Sequence, residues 1–414
     1  MVKYFNNLMG GIPQLTNAFG ALTALLDAVL VTGFNLKTLD SLTHASGTAT
    51  ATVNSGHGYS VNQVVLITGA SPSEYNGEHV VLTTTASTFT FALAGTPTSP
   101  ATGTIACKAA PLGFEIAYTG TNKRAYRSTE LVSNKPILRV DDSQAPDYAS
   151  TYAKYAKVSM AQNMSDIDTY VGARAPYDPT NPTKNEVSTG TSSGIINGWY
   201  KWIYAHPYGS GMTADGGAGN RNFHIVGDSR GFVLSVSSDV LQPSLRRTYY
   251  FGDFNSLKSG DVFNSLLTAT DDYNAAFNAA TVYPSSVTEF EYTQSYVGKQ
   301  LLTDYTNIGA PVRAGFTALN AVATGAWISG SQFNTAPFPN GANNGLLVSP
   351  VVIREESGHV RGNLVGVYFI PHALPYSDGL ILDNVSGKKM LLLSGAYSNN
   401  QSRIAIDLTG WERT

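Results

Sequence analysis

The chain has 414 residues, with 26 lysines and arginines against 29 aspartates and glutamates, so its formal charge is −3. Charged residues make up only 13% of it, about half of the roughly 25% usual in globular proteins, and this balance provides no basic surface for nucleic acid. The single cysteine, Cys107, excludes a disulfide framework and a zinc site of several thiolates, and no uncharged apolar run is long enough to predict a membrane span.

The rest of the composition favours an all-β protein. Hydrophobic residues form 43% of the chain, which is enough for a core, and there are 40 glycines, 23 tyrosines and 17 phenylalanines. Tyrosine, threonine and phenylalanine favour strands, whereas glycine and asparagine favour turns. The opening MVKYFNN does not have the pattern of a signal peptide. We therefore expect a chain made in the cytoplasm that has the weakly charged surface typical of proteins working outside cells.

Residues 14–30 carry the clearest helix signal. Their apolar side chains recur at helical spacing and form one face, and Gly33 is the predicted end. The residues of this face are Leu15, Phe19, Leu22, Leu25, Leu26 and Val29. The face predicts either a helix packed in the core or one docked on a neighbouring subunit, so Leu22 and Leu26 are interface candidates. Residues 1–44 are predicted to form a helical segment packed on the main domain.

Residues 45–108 change in character and predict a small inserted β-module. Charge nearly disappears, and short runs of alternating polar and apolar residues are separated by turn clusters such as Asn76-Gly77. In one run, Phe89 and Phe91 point to one side of the predicted strand, and Thr88 and Thr90 point to the other. About five strands in so short a segment favour a small barrel or sandwich.

Residues 109–414 predict the main domain, an antiparallel sandwich or barrel-like β structure with long loops at 176–220 and 268–293. A short helix in the second loop would end at Pro284. The predicted strands are residues 136–140, 222–226, 231–236, 247–251, 346–353, 364–370, 388–393 and 403–408.

Aromatic residues of this domain are candidates for an interface. Interfaces are rich in aromatic residues, and we expect part of the aromatic set, which includes Tyr249-Tyr250-Phe251, to be exposed, since a half-buried strand cannot bury both neighbours. Core positions are the competing interpretation. The interface candidates are Trp199, Tyr200, Trp202 and Tyr208.

One stretch resembles a hydrolase motif. Gly227-Asp228-Ser229 follows a predicted strand, as in lipase-like hydrolases of the GDS type, in which a base must activate the serine. None of the seven histidines follows an aspartate at the spacing those enzymes use, and the nearest match is Glu356-Ser357-Gly358-His359. The alternative is a β-turn between two strands.

The other polar residues predict neither a catalytic pair nor a ligand site. The acidic pairs Asp141-Asp142, Asp271-Asp272 and Glu355-Glu356 are adjacent residues, which point to opposite faces of a strand, whereas glycosidase carboxylates must face each other. Neither the glycine-rich loop at 209–219 nor the GTNK sequence at 120–123 has phosphate-loop spacing, and the histidines lack metal-ligand spacing. We expect no enzymatic activity, no cofactor and no metal.

Stretches along most of the chain occur in the order typical of one family. They are GGIPQLTNAFGALTALLDAVLVTGFNLKT at 10–38, YNGE at 75–78, TGTNKRAYRS at 119–128, LRVDDS at 138–143, MSDIDT at 164–169, WYK at 199–201, FHIVGDSRGFVLSV at 223–236, YYFGDFNSLKSGD at 249–261, HVRGNLVGVYFIPHALP at 359–375 and RIAIDLTGW at 403–411. In these stretches the chain resembles an uncharacterised family of tailed-phage and prophage virion proteins. The family has no known catalytic residues.

The resemblance implies a structural part of a virion, assembled in the host cytoplasm through contacts with copies of itself and with other virion proteins. We expect it in the tail machinery, meaning the baseplate, tail tip or an appendage base. Three alternatives stay open. The chain could be a capsid decoration or neck protein, an adhesin that binds a host surface glycan through residues 176–220, or a GDS-type hydrolase. Neither nucleic-acid binding nor membrane insertion is expected.

Overall fold

The computed structural model describes residues 1–146, 148–186, 188–189, 196–208, 210–271, 298–304, 314–318, 346, 348–370, 376–397 and 400–413. Strands account for 47% and helices for 5%, and the sheets are antiparallel. The prediction of a mainly antiparallel β protein with a short N-terminal helix is confirmed. The part of the predicted loop 268–293 after residue 271, with Pro284, lies outside the described residues.

The strands of the first half of the chain are mostly short and joined by tight turns. They are β1 (Lys3–Asn6), β2 (Phe34–Thr38), β3 (Ser41–Ala45), β4 (Thr48–Thr52), β5 (Val64–Thr68), β6 (Gly77–Thr84), β7 (Thr88–Ala92), β8 (Ala106–Ala109), β9 (Phe114–Gly120), β10 (Lys123–Ser128), β11 (Ile137–Asp141), β12 (Lys154–Asp166), β13 (Thr169–Ala175), β14 (Ser188–Thr189) and β15 (Ile196–Asn197).

The second half contains all of the strands predicted there, with ends that differ by a few residues. The described strands are β16 (Tyr200–Ala205), β17 (Phe223–Asp228), β18 (Gly231–Val236), β19 (Arg247–Asp253), β20 (Asn255–Ser256), β21 (Ser265–Thr268), β22 (Thr270–Asp271), β23 (Lys299–Leu301), β24 (Ala314–Ala318), β25 (Ser349–Glu355), β26 (Val360–Phe369), β27 (Ile381–Val385), β28 (Lys388–Tyr397) and β29 (Asn400–Asp407). The prediction of one loop over 176–220 is wrong at β16, a fully buried strand.

Four large sheets and the two-stranded sheet β14-β15 contain the paired strands of the described residues. The central sheet has the order β1-β17-β18-β19-β21-β23, and the flanking sheet has the order β22-β16-β12-β11-β10-β9, with β13 paired to β12. The C-terminal sheet has the order β24-β25-β26-β29-β28-β27, with β20 paired to β26. The small sheet has the order β2-β8-β5-β6-β7-β4-β3. The strand pairs of the described residues are antiparallel, and some, such as β17–β18, are hairpins, whereas β1 and β17 are joined by chain that forms other sheets.

The central sheet is covered on both faces. Tyr249 and Phe251 belong to the core that it shares with the flanking sheet, and Tyr250 belongs to the core that it shares with the C-terminal sheet. Every residue of β17, β18 and β19 is buried as a result. The argument that neighbouring aromatic residues of a strand cannot both be buried is therefore wrong for Tyr249–Phe251, because a sheet between two layers has no solvent face.

The small sheet curls around a core of its own. Side chains from strands far apart in its order, such as Leu42 of β3 and Cys107 of β8, pack in the same cluster with Val65 and Phe89. The predicted alternation of β7 is confirmed, because Phe89 and Phe91 are buried while Thr88 and Thr90 are partly exposed. Strands β2 and β3 also pair into this sheet, so the sheet begins before residue 45, the predicted start of the inserted module.

The N-terminal helix is shorter than the apolar pattern predicts. The helix α1 spans Ala21–Leu26 and continues as a π-helical segment, Asp27–Thr32, that ends at Gly33 as expected. The prediction of helix over residues 14–20 is wrong. Gly20 has φ 86°, a left-handed conformation that starts the helix there, and a Cβ at this position would lie 2.5 Å from the Asn122 side chain.

A buried carboxyl group holds the start of this helix. The Asp142 Oδ2 atom accepts hydrogen bonds from the backbone N–H groups of Leu22, at 3.0 Å, and Thr23, at 3.4 Å. The Tyr204 hydroxyl oxygen lies 2.7 Å from Asp142 Oδ1 and 2.8 Å from the carbonyl oxygen of Ala18. A hydroxyl group has one proton, so both contacts are hydrogen bonds only when Asp142 is protonated and donates to Tyr204.

Burial acts in the same direction on Asp142. Because the group is removed from water, its pKa rises to about 8, although hydrogen bonds that the Tyr204 hydroxyl and the helix N–H groups can donate to the ionised carboxylate lower the pKa. The folded chain therefore holds a proton that the unfolded chain releases near pH 3.8. This group stabilises the fold fully below that pH, and its contribution is lost as the pH rises through about 8.

We predict that Asp142→Asn removes this pH dependence. The amide accepts the helix N–H groups through oxygen and donates to Tyr204 through nitrogen, as the protonated acid does. Thermal unfolding of both proteins between pH 4 and 9 should show similar melting temperatures near pH 4 and a variant that becomes increasingly more stable than the wild type as the pH rises to about 8. A difference in melting temperature that stays constant over this range would contradict the prediction.

Candidate assembly surface

Most of the interface candidates lie inside this chain. Tyr200, Trp202, Leu22 and Leu26 are fully buried, and Trp199 is nearly so. The Trp202 indole N–H donates to the carbonyl oxygen of Thr268 at 2.8 Å, and its ring stacks on Tyr249 with a centroid distance of 5.7 Å. These side chains are buried in the core between the flanking and central sheets. A partner must therefore contact other residues.

Tyr208 lies at the edge of the glycine-rich segment. It is partly buried, its ring lies under the Arg247 guanidinium at 5.3 Å, and its backbone N–H donates to Asp239 at 3.0 Å. The same segment is held by Arg221, which donates to the carbonyl oxygens of Gly219 at 2.6 Å and Gly217 at 2.8 Å. The described part of this segment therefore has defined internal contacts.

Apolar side chains are exposed on two neighbouring loops instead. Leu131 is 86% exposed and Val132 is 70% exposed on the turn between β10 and β11. Leu257 is 67% exposed and Val262 is 56% exposed on the turn between β20 and β21. We call these four residues the loop-tip patch. Contiguous exposed apolar side chains are unusual on a monomer and mark interaction surfaces.

Direct hydrogen bonds join the two loops. The Asn134 side-chain N–H donates to the carbonyl oxygen of Asp261 at 3.1 Å and also to the side chain of Asn264. Val132 is two residues from Asn134, and Val262 directly follows Asp261. Since two residues of chain span at most about 7 Å, these bonds bring the backbone at Val132 near the backbone at Val262.

A buried ion-pair network holds the second loop in place. Asp261 accepts from Arg361 at 3.0 Å, from the Ser256 hydroxyl at 2.7 Å and from the Phe263 N–H at 2.9 Å. The fully buried Arg361 also pairs with Glu355 at 3.0 Å and donates to the Thr303 carbonyl oxygen at 2.9 Å. The loop therefore displays its apolar residues from a fixed backbone.

We predict that Arg361→Leu lowers the free energy of unfolding by about 3–5 kcal/mol, because it leaves the carboxylates of Asp261 and Glu355 buried without their cation. Urea unfolding measures this loss. The control is Arg127→Leu, which breaks a solvent-exposed pair with Glu115 and should cost no more than about 1 kcal/mol. Equal losses in the two variants would contradict the role given to Arg361.

The Gly-Asp-Ser stretch forms a β-turn between two strands, which is the alternative to the hydrolase interpretation. Asp228 pairs with Gly231 across the β17–β18 hairpin, which leaves Ser229 and Arg230 as the turn residues. The Ser229 carbonyl oxygen accepts from the Ser128 hydroxyl at 2.5 Å. His359 belongs to the sequence that comes nearest to the hydrolase's base motif. It lies in a different hairpin, between β25 and β26, where its Nδ1 is 3.0 Å from the Ser357 hydroxyl.

The adjacent acids Asp141 and Asp142 point to opposite sides of the flanking sheet, as the strand pattern predicts. Asp141 lies near Lys157, at 3.3 Å, and Arg139, at 3.4 Å. Burial alone would raise the pKa of Asp141, but these cations lower it. Asp142 faces the helix, so the two carboxyl groups serve separate structural contacts.

Neither a metal-holding group nor a membrane helix is found in the described ranges. Among those residues, no three His, Cys, Asp or Glu side chains are placed to hold a metal ion. No helix within the same ranges is long and apolar enough to cross a membrane.

Comparison with solved structures gives a distant likeness. No family model and no curated protein matches the sequence. Among solved structures, the chain is similar to "Phage phi92 endosialidase", with 10% sequence identity and a TM-score of 0.17 over 92% of this chain. The chain spans about half of that protein, 52% of its length. At this TM-score the likeness does not show a shared fold, so the fold is defined by the sheets described above.

Proposed function

We propose that this chain is a structural component of a tailed-phage particle and acts by protein–protein assembly in the tail machinery. The observation that supports this best is the loop-tip patch, in which four exposed aliphatic side chains are held by a hydrogen-bonded, ion-paired backbone. Its partners are copies of the same chain and other virion proteins. It requires neither a cofactor nor a catalytic residue.

The energetics of the loop-tip patch favour a binding role. Fully burying an aliphatic side chain of this size stabilises a complex by about 1.5–3 kcal/mol. Four such residues therefore provide about 6–12 kcal/mol. This is comparable with the cost of about 4–15 kcal/mol that association incurs in lost translational and rotational freedom. Because the two loops are already fixed, little further entropy is lost when a partner binds.

The setting in a phage particle is supported by the sequence. The ordered stretches of resemblance favour a virion protein, and the 13% charged residues leave extensive surface that can be buried without desolvating ions. A capsid decoration or neck protein is the nearest alternative within the same class. Copy number separates the two, because a decoration protein is present at hundreds of copies per particle and a tail part at tens or fewer.

We predict that the double variant Leu131→Lys with Leu257→Lys is incorporated into particles at least ten-fold less than the wild type, because a partner would have to bury two new charges. The measurement is quantitative mass spectrometry of purified particles, which also gives the copy number. Leu241→Lys is the matched control, since Leu241 is also 86% exposed but lies outside the loop-tip patch. Equal incorporation of all three proteins would overturn the assignment of the patch.

A second prediction tests the proposal that the chain is not an enzyme. The purified protein and its Ser229→Ala variant should show the same background rate with p-nitrophenyl acetate, because Ser229 is proposed to act only as a turn residue. A wild-type rate above background that disappears in the Ser229→Ala variant would contradict the structural role and favour the GDS-type hydrolase.

A further inference from the structure

The outward face of the small sheet presents two straight rows of hydroxyl groups. Each row crosses β3, β4, β7 and β6, and its members lie opposite one another across the sheet. The last member of the second row, Thr85, lies in the turn after β6 and bonds to Thr88. The first row is Thr43, Thr50, Thr90 and Thr83, and the second row is Ser41, Thr52, Thr88 and Thr85. We call these eight residues the threonine face.

These hydroxyl groups stand on a rigid base. The opposite sides of β4 and β7 carry buried core residues, including Ala49, Ala51 and Phe91, whereas the threonines between them are partly exposed. Neighbouring hydroxyl groups also bond to each other, with 2.7 Å between the oxygens of Thr83 and Thr90. β-Branched side chains have restricted rotamers, so the positions of the hydroxyl groups are largely set before any ligand arrives.

The threonine face is free of charge. The strands β3, β4 and β7 contain no aspartate, glutamate, lysine or arginine, and Glu78 of β6 lies five residues before Thr83. Exposed strands commonly carry charges that discourage contact, and burying a charge without a partner is costly. A ligand that covers this face therefore desolvates only hydroxyl and methyl groups. This favours an uncharged ligand, since the face offers no cation to an anionic one.

The size of the threonine face decides what kind of ligand fits. The two rows are two residues apart along each strand, which is about 7 Å, and four strands spaced about 4.8 Å apart span about 14 Å, so the rows enclose about 100 Å². A stable protein interface needs about 800 Å² on each partner. The face is thus too small to hold a second protein alone, but it can accommodate a short length of an extended sugar chain.

We propose that the threonine face binds a neutral polysaccharide, whose hydroxyl groups exchange hydrogen bonds with the two rows. Each threonine hydroxyl donates one hydrogen bond and accepts up to two, as sugar hydroxyl groups do, so the two surfaces are chemically complementary. A single face binds weakly because it has no aromatic ring for stacking. Repeated copies, which this step takes from the proposed function, add avidity.

The test is electrophoresis of the full-length protein in native gels that contain dextran, laminarin or hydroxyethyl cellulose, with alginate as the anionic comparison. We expect slower migration in at least one neutral gel. The double variant Thr50→Val with Thr90→Val keeps the shape and strand preference of threonine but removes two hydroxyl groups. It should raise the apparent dissociation constant at least five-fold. Thr119→Val, on an exposed position of β9, should migrate as the wild type does.

Three results would overturn the proposal. They are unchanged migration in every neutral gel, equal retardation of the wild type and of the double variant Thr50→Val with Thr90→Val (the valine pair), and retardation by alginate alone. Sedimentation of the same proteins provides an independent check, because a dimer abolished by the valine pair would show that a second copy occupies the face. Incorporation of the valine pair into particles should remain normal, so this outcome is separable from that of the loop-tip patch.

Discussion

The packing of aromatic side chains between the flanking and central sheets is the interaction on which the rest of this structure depends. Trp202 from one sheet stacks on Tyr249 from the other, and Phe232 contacts the edge of Trp202. Each polar tip has a partner across the same layer: the Tyr249 hydroxyl accepts from the Ile203 N–H at 2.8 Å, and Tyr200 donates to the Leu267 carbonyl oxygen at 2.9 Å. Aromatic burial thus supplies both apolar area and alignment of the two sheets.

Some of the few charged residues of this chain are buried and hold separate segments together. Asp142 holds the start of the helix against the flanking sheet, Arg361 joins the loop of Asp261 to β25, and Arg221 gathers glycine carbonyl groups. Each of these groups is buried, so removing it would leave polar atoms without water or partner. The remaining surface can then be low in charge without loss of order in the loops.

The fold also sets the orientation of the small sheet. Lys3 of β1 pairs with Glu78 at 2.5 Å, and Lys389 of β28 donates to Asn62 at 2.7 Å, so two separate sheets hold it. The threonine face and the loop-tip patch belong to different parts of this scaffold. The two proposals therefore assign assembly to one surface and contact with a neutral glycan to another.

The sequence by itself determined the all-β class, the eight strands predicted in residues 109–414, the Ser229 turn and the alternation of Phe89 with Thr90, because strand periodicity and turn chemistry are local properties. It missed others, such as β12 and β16. Only the tertiary structure decided that Tyr249 and Tyr250 are both buried, since that depends on covering layers remote in sequence. It also decided the shortened helix, whose start is held by Asp142 more than a hundred residues away. The loop-tip patch has no sequence signal of its own, because isolated leucines and valines form a surface only when the fold brings their loops together.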